Sequence, residues 1–226
     1  MKKLFVYFVS FVTKIYFSLK NIRVNLKSST AFFFSIKSEK SNLLDFENSQ
    51  LYKSKIICKG TNNIIISKNN LISNTQISIT GSNNKLIINS EVKLRGSVII
   101  IRGTDCEITI GSNTTFGGIR IVNVGTKNSI SIGEDCLFAD NIELWGSDTH
   151  PIFNNEGICI NTEKSIKIGN NVWVGCRVII LKGVLIGNGS IVGMGSIVTK
   201  SIPPNVISAG CPNATVKENI KWQLNY

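Results

Sequence analysis

Residues 168–202 read IGNNVWVGCRVIILKGVLIGNGSIVGMGSIVTKSI, and this stretch repeats every six residues. The aliphatic residues that open the units are Ile168, Val174, Ile180, Ile186, Val192 and Val198. A small or branched residue follows four positions later in each unit. An α-helix could not keep a six-residue stripe on one face, whereas short extended segments that end in glycine-containing corners could. Three such segments are predicted to form one triangular coil of about 18 residues.

A longer repeat precedes this stretch and is predicted to continue the same solenoid. Related segments begin at Gly60, Gly81, Gly103 and Gly125, 21 or 22 residues apart. The aliphatic residues expected to align in successive coils are Ile66, Ile88, Ile110 and Ile132. We interpret the longer period as a coil with a bulge of about four residues at one corner, because asparagine and glycine accept left-handed turns. Ile168 lies 36 residues after Ile132, which is interpreted as two further coils.

The segment from about 146 to 164 departs from the repeat and contains His150, the only histidine in the chain. A loop that leaves a regular solenoid is a candidate functional site. Pro151 favours an extended backbone at His150, and a free imidazole, with a pKa of about 6.5, suits base catalysis near neutrality. Asp148 could orient the imidazole, or it could cap a turn through its own backbone.

Residues 1–27 form a basic and largely apolar N-terminal segment. Residues 1–60 hold 11 lysine and arginine side chains against 3 acidic ones. Polar residues three to four apart predict an amphipathic helix, which could lie on an anionic membrane surface or pack on the solenoid or a neighbouring subunit. Lys14 interrupts the apolar run and no small-residue cleavage site follows, so a signal peptide is not expected. The apolar run is also shorter than the roughly 20 residues of a membrane span.

The remaining boundaries follow from the repeat and from proline. Residues 28–204 are predicted to form one β-solenoid domain, because Pro203 and Pro204 remove backbone donors and end the stack. Residues 205–226 are predicted to form a turn and then a short helix from about Thr215. The six cysteines have irregular spacing without a CxxC pair, which favours reduced thiols, a cytoplasmic location and no metal site. The basic charge is not interleaved with aromatics along a groove, so nucleic-acid binding is not expected.

The run from residue 168 to 214 resembles the hexapeptide-repeat acyltransferases, in particular their polysaccharide O-acetyltransferase branch. The resemblance is most specific over residues 132–222 and weaker over 56–131. It implies a homotrimer of left-handed parallel β-helices with an active site between subunits. It also implies that acetyl-CoA is the co-substrate, that a sugar hydroxyl is the acceptor, and that a histidine before a Trp-x-Gly rung deprotonates that hydroxyl for direct attack on the thioester.

The same resemblance assigns roles to individual residues. His150 matches the base, and Trp173 and Gly175 match the rung. The Cys176 N–H matches the group that contacts the thioester. The further positions that match the pantetheine and phosphate track are Met194, Thr199 and Lys200. Thr215 stands where the family usually has a basic residue, and Lys217 is the candidate replacement on charge. Trp173 could cover the acetyl group or stack on a sugar, or it could pack as a corner residue.

Several alternatives stay open at this point. An N-acetyltransferase of an amino sugar or a serine acetyltransferase could use the same solenoid, and a catalytically inert scaffold is a third possibility. A nucleophilic cysteine is disfavoured because no cysteine is tied in sequence to His150. The basic N-terminus is compatible with an acidic glycan such as polysialic acid or with a membrane-bound assembly.

Overall fold

The computed structural model of the chain describes residues 4–8, 16–19, 22–39 and 41–224. In this part of the chain every regular element is a β-strand, and the strands form three long sheets. Each coil contributes one strand to each sheet in turn, and successive coils stack in parallel. The predicted fold class, a left-handed parallel β-helix, is confirmed.

The strands follow one another along the whole described chain. In chain order they are β1 Leu4–Phe8, β2 Tyr16–Leu19, β3 Ile22–Asn25, β4 Thr30–Phe32, β5 Phe34–Ser38, β6 Leu43–Glu47, β7 Gln50–Tyr52, β8 Lys55–Thr61, β9 Ile64–Lys68, β10 Leu71–Ser73, β11 Gln76–Ser82, β12 Lys85–Ile88, β13 Lys93–Arg95, β14 Val98–Thr104, β15 Glu107–Ile110, β16 Thr115–Phe116, β17 Ile119–Thr126, β18 Ser129–Ile132, β19 Leu137–Phe138, β20 Ile142–Trp145, β21 Ile166–Ile168, β22 Trp173–Val174, β23 Ile179–Leu181, β24 Leu185–Ile186, β25 Ile191–Val192, β26 Ile197–Val198, β27 Ile207–Ala209 and β28 Ala214–Lys217.

We name the three sheets A, B and C. Sheet A contains β1, β5, β8, β11, β14, β17, β20, β23 and β26; sheet B contains β2, β3, β6, β9, β12, β15, β18, β21 and β24; sheet C contains β4, β7, β10, β13, β16, β19, β22, β25, β27 and β28. The chain passes from sheet C to sheet A across the CA corner, and from sheet A to sheet B across the AB corner. These two corners carry the candidate site residues.

The interior of the solenoid is packed with aliphatic side chains in register. One buried column in sheet A consists of Ile56, Ile77, Ile99, Ile121, Leu144, Ile180 and Val198. The residues that alternate with them along each strand point outward, as the period of two in a strand requires, and they include both polar and apolar side chains. The six-residue period of the sequence therefore corresponds to one unit of a short strand and a corner, and each short strand contributes one inward aliphatic residue to this period.

The longer coils differ from the prediction in where their extra residues lie. These residues do not form a bulge, since they lengthen the sheet A strands to seven or eight residues in β8, β11, β14 and β17. Gly60, Gly81, Gly103 and Gly125 stack directly in this extension. A Cβ on Gly81 would overlap the carbonyl oxygen of Gly103, and its φ of +116° also disfavours any other residue.

An internal ladder of asparagines holds the corner after the lengthened strands. The Asn63 N–H donates to Asn42 Oδ1 at 2.9 Å, and the Asn84 N–H donates to Asn63 Oδ1 at 3.0 Å. The Cys106 N–H continues the ladder to Asn84 Oδ1 at 3.0 Å. A buried polar group is costly unless it is hydrogen-bonded. Here the asparagine oxygen of each coil accepts a buried backbone N–H of the next coil.

Two alignments expected from the sequence are wrong. Ile66 does not stack under Ile88, because Ile88 pairs with Ser67 and the half-buried Ile66 faces outward. Ile132 pairs directly with Ile168, so the spacing of 36 residues corresponds to one coil with a long insertion, not to two coils. The irregular loop therefore adds to a coil and does not replace part of the stack.

The predicted N-terminal helix over residues 1–27 is wrong wherever the structure describes that segment. Residues 4–8 and 16–19 form β1 and β2, which pair antiparallel with β5 and β3, and residues 22–25 form β3 itself. The aromatic and branched residues of this segment favour strands, and the open sheet edges offer them unpaired backbone groups. The other parts of the prediction lie outside the described residues. Among the residues that are described, no helix has the length and apolarity of a membrane span.

The predicted C-terminal helix from Thr215 is also wrong. Residues 214–217 form β28, which turns back antiparallel against β27. The last parallel strand of a solenoid exposes unpaired N–H and C=O groups, and β28 satisfies part of that edge. Residues 218–224 follow without regular structure.

Candidate functional site

The change from long to short coils creates a ledge in sheet A. The strand β17 runs to Thr126, but its neighbour β20 pairs only with residues 119–122 and ends at Trp145. Residues 123–126 therefore lack a following strand. The loop of residues 146–164 leaves the AB corner at this point and lies against the ledge.

Two polar side chains attach the base of the loop to the ledge. The Glu163 carboxylate accepts the Thr126 N–H at 2.8 Å, in place of the missing strand carbonyl. This hydrogen bond is the main reason that the pKa of Glu163 is lowered. The Asn128 side-chain amide donates to the Gly146 carbonyl oxygen at 2.9 Å. The loop thus starts and ends at fixed points.

Lys182, just after β23 in the next coil, joins both ends of the loop. Its ammonium donates to Asp148 Oδ2 at 2.7 Å, to the Asn161 carbonyl at 2.8 Å and to the Thr162 carbonyl at 3.0 Å. The Lys182 side chain is only 17% exposed. The hydrogen bond from Lys182 to the Asp148 carboxylate is the largest cause of the lowered pKa of Asp148.

Asn161 holds the main chain around the histidine. Its side-chain amide donates to Asp148 Oδ2 at 2.8 Å and to the His150 carbonyl at 2.9 Å, and its Oδ1 accepts the Ile152 N–H at 2.6 Å. The backbone is therefore fixed on both sides of Pro151. The His150 side chain itself is exposed.

Beyond this fixed part, residues 152–160 form a small hairpin with an apolar tip. The Ile160 N–H donates to the Ile152 carbonyl at 2.8 Å, and the backbones of Phe153 and Cys159 pair antiparallel. Four large apolar side chains of the hairpin are 53–62% exposed: Ile152, Phe153, Ile158 and Ile160. Such a concentration on a protruding element is typical of an interaction surface.

The loop and the ledge enclose a cleft of about 180 Å³. The ledge contributes Val124 and Gly125, and the loop contributes His150, Cys159 and Glu163 among others. Cys159 was not tied to His150 in the sequence, but the hairpin brings it to the same cleft. Among the described residues, no group of three or more His, Cys, Asp or Glu side chains could hold a metal ion.

Asp148 does not contact the imidazole as one interpretation of the sequence proposed. Its Oδ2 binds Lys182 and Asn161, and the described residues show no hydrogen bond between Asp148 and His150. The alternative, an aspartate that caps a turn through its own backbone, does not describe it either, because its partners are distant in sequence. Asp148 is part of the network that fixes the loop.

Trp173 lies in sheet C between Leu137 and Ile191 and is 37% exposed. Its ring centroid lies 5.9 Å from that of Trp222, whose indole N–H donates to the Asn171 carbonyl at 2.8 Å. The side chain therefore has a packing partner and still presents a free apolar surface. Both roles considered for it from the sequence are compatible with this position.

The other predicted site residues lie at three places. Gly175, Cys176 and Met194 lie at the CA corner in successive coils; a Cβ on Gly175 would lie 2.8 Å from the Met194 nitrogen, so the close approach of these coils requires glycine. Thr199 and Lys200 lie after β26 at the AB corner, where both backbone N–H groups donate to Asn213 Oδ1. Lys217 lies on β28, away from both.

One chain does not bring all these residues together. Cys176 precedes β23 and Lys182 follows it, so the CA corner with its rung and the AB corner with its histidine loop lie at opposite margins of sheet A. Sequence reasoning missed Lys182, Asn161 and Glu163. The sequence carried no direct signal for Lys182; the structure places that lysine above the start of the loop, because Trp145 pairs with Leu181.

Comparisons with known proteins agree with this architecture. The family "Bacterial transferase hexapeptide (six repeats)" matches residues 165–200. The crystal structure of the polysialic acid specific acetyltransferase NeuO is 33% identical, with a TM-score of 0.77 over 85% of this chain and 89% of that one. The polysialic acid O-acetyltransferase OatWY is 34% identical, with a TM-score of 0.72 over 92% and 91%.

A sequence relative gives a shorter match. A polysialic acid O-acetyltransferase of Escherichia coli O1:K1 / APEC is 53% identical over 89 residues, which are 39% of this chain. The match spans 29% of the length of that relative.

Proposed function

We propose that this chain, which belongs to the hexapeptide-repeat acyltransferase family in its O-acetyltransferase branch, transfers an acetyl group from acetyl-CoA to a sugar hydroxyl of a surface polysaccharide. The observation that carries the proposal is the exposed His150 imidazole, which lines a cleft on a loop whose backbone is fixed by Asn161. The acceptors named for similar proteins favour a sialic acid polymer. The reaction requires no metal.

The proposed reaction is a direct transfer. Neutral His150 takes the proton of the acceptor hydroxyl as its oxygen attacks the thioester carbonyl carbon. The carbon–sulfur bond then breaks, and the imidazolium returns its proton to the CoA thiolate, so that an acetyl ester and CoA thiol are formed. Asp148 would contact the acceptor while its Oδ2 stays hydrogen-bonded to Lys182 and Asn161.

The Cys176 N–H is the proposed donor to the developing oxyanion. It has no acceptor among the described residues, whereas the Cys176 carbonyl accepts the Gly195 N–H at 2.9 Å. A free backbone donor at a fixed corner suits charge that appears only in the transition state. The residues proposed to hold the rest of acetyl-CoA are Trp173, Gly175, Met194, Thr199, Lys200 and Lys217.

We propose a homotrimer in which the histidine loop of one subunit meets the CA corner of its neighbour. The separation of the two corners in one chain supports this arrangement, as does the apolar hairpin tip that a neighbour would cover. The free cysteines favour a reducing, cytoplasmic location. Contact with the inner face of a membrane through residues 1–27 stays a prediction.

The test is acetyl transfer by the His150→Gln and His150→Ala variants. Removal of a general base is expected to lower kcat by about 10²- to 10⁴-fold without changing the melting temperature. Acceptors in the assay include acidic and neutral oligosaccharides, an amino sugar and serine. Retained turnover in both variants, or no transfer to any acceptor by the unmodified chain, contradicts the proposal, and transfer to the amino sugar alone supports an N-acetyltransferase.

A further inference from the structure

We infer that Lys182 is a positioning residue. It fixes the position of His150 because it binds both ends of the loop of residues 146–164 to the adjacent coil. The expected effect on turnover rests on the proposed function. The attachment of the loop by the three hydrogen bonds of Lys182, which we call the lock, does not depend on that function. Lys182 belongs to the regular solenoid, whereas its three partners belong to the insertion. The rigid part of the fold is thus connected directly to the irregular part.

The hydrogen-bond inventory of the lysine assigns it this role. An ammonium group has three N–H donors, and the Lys182 ammonium has three oxygen acceptors within 2.7–3.0 Å. No donor is left for a substrate. Lys182 therefore does not serve as a binding residue for CoA phosphate or for an acidic sugar, in contrast to the exposed Lys200 at the equivalent corner of the next coil.

The electrostatics of the lock favour the ion pair over a neutral substitute. Taking a lysine side chain largely out of water is costly unless its charge is paired and hydrogen-bonded. Asp148 supplies the pairing charge at 2.7 Å, and the carbonyls of Asn161 and Thr162 supply the remaining acceptors. The loop thereby gains one contact at its start and two at its end.

Asn161 links the bound lysine to the backbone of His150. It shares Asp148 Oδ2 with the lysine, and the same side chain holds the His150 carbonyl and the Ile152 N–H. Loss of the lysine would free the segment that carries Asn161 and, with it, the backbone on both sides of His150. A displacement of about 1 Å of a catalytic group can cost on the order of 10²-fold in rate.

The first measurement compares Lys182→Met with Lys167→Met, a matched lysine on the exposed face of β21. We expect Lys182→Met to lower kcat about 10- to 100-fold, with KM for acetyl-CoA within about twofold of the unmodified enzyme. Lys167→Met should leave both unchanged. A kcat within twofold in Lys182→Met, or a raised KM with unchanged kcat, overturns the inference, because the second result describes a binding residue.

The second measurement is amide hydrogen exchange of residues 148–162, made in the inactive His150→Ala background. Lys182→Met is expected to speed exchange in this segment about tenfold or more and to leave the strands of sheet A unchanged. This readout stands even if His150 proves not to be the base. Unchanged loop exchange would refute the lock. If Lys182→Met does not fold, Asn161→Ala is used instead, and it should give the same loop-confined exchange and the same fall in kcat.

Discussion

At the scale of single residues, solvent exposure divides the six cysteines into two groups. Burial raises the pKa of Cys58 to about 12 and that of Cys136 to about 11, and it also raises the pKa of Cys106. Cys159 and Cys211 are exposed, and Cys176 is half-buried. Because the thiolate is the reactive form, the buried group should be inert near neutral pH.

We therefore expect a thiol reagent at pH 8 to modify Cys159 and Cys211 rapidly and Cys176 more slowly, while the three buried thiols react only after unfolding. Mass spectrometry of the folded chain would identify the modified positions. Acetyl-CoA should protect Cys176, the proposed neighbour of the thioester, and leave Cys211 accessible. Modification of Cys58 in the folded chain would contradict the buried core described above.

His150 and Lys182 differ in how far their roles could be predicted from the sequence. His150 could be predicted because the only histidine of the sequence stood in the only long departure from the repeat. Lys182 could not be predicted from its type, since it occupies an ordinary corner position between Leu181 and Gly183. Its role depends on which coil lies next to the loop, and that depends on reading residues 132–168 as one coil instead of two.

At the scale of elements, two glutamates cap the lengthened part of sheet A. Glu39 accepts the Gly60 N–H at 2.8 Å below it, and Glu163 accepts the Thr126 N–H at 2.8 Å above it. Both carboxylates replace the carbonyl of a strand that is missing. The long strands can therefore end against a coil with a shorter strand without leaving these amides unsatisfied.

The upper cap should make the loop sensitive to acid. A carboxyl with a lowered folded-state pKa contributes stability that is complete above its unfolded pKa and is lost as pH falls through the lower folded value. The ordinary values are 4.5 for Glu163 and 3.8 for Asp148, and both are lowered here. Loop exchange, corrected for intrinsic rates, should be constant from pH 7 to about 5 and should rise only below about pH 4.

Glu163→Ala tests the cap directly. The variant should speed exchange of the Thr126 amide and of the loop base at pH 7, whereas Glu163→Gln should be nearly normal because its amide oxygen can still accept the same N–H. The rise in acid should be smaller in both variants. Equal exchange in Glu163→Ala and the unmodified chain would mean that the ledge needs no cap.

The elements also show why the fold class was predictable and the chain ends were not. The interior of a solenoid imposes the same requirement on every coil, so Ile168 and its six-residue successors report the fold directly. At the ends the requirement changes, because an open edge can be covered by any segment. Residues 214–217 became a strand because the adjacent β27 offered unpaired backbone groups, which no local periodicity reveals.

At the scale of the whole molecule, the two halves of the proposed site lie at different corners of one prism. A triangular solenoid presents its corners in different directions, so the histidine loop at the AB corner and the rung at the CA corner of the same chain do not converge. Threefold assembly would bring the loop of one subunit to the rung of the next and would cover the apolar hairpin tip. Sedimentation should then give three times the 24.8 kDa mass of the chain.

Subunit complementation tests this arrangement more sharply than mass does. His150→Ala removes the base, and Met194→Glu places a negative charge on the proposed CoA track at a side chain that is 72% exposed, so that folding should not suffer. Each variant alone should be inactive. Random mixing of the two chains should restore about one quarter of the sites, because a site needs an intact loop from one subunit and an intact rung from the next. A chain that carries both substitutions, mixed with the His150→Ala chain, should restore none. If the separate variants also fail to complement after co-refolding into trimers, the site must lie within one chain.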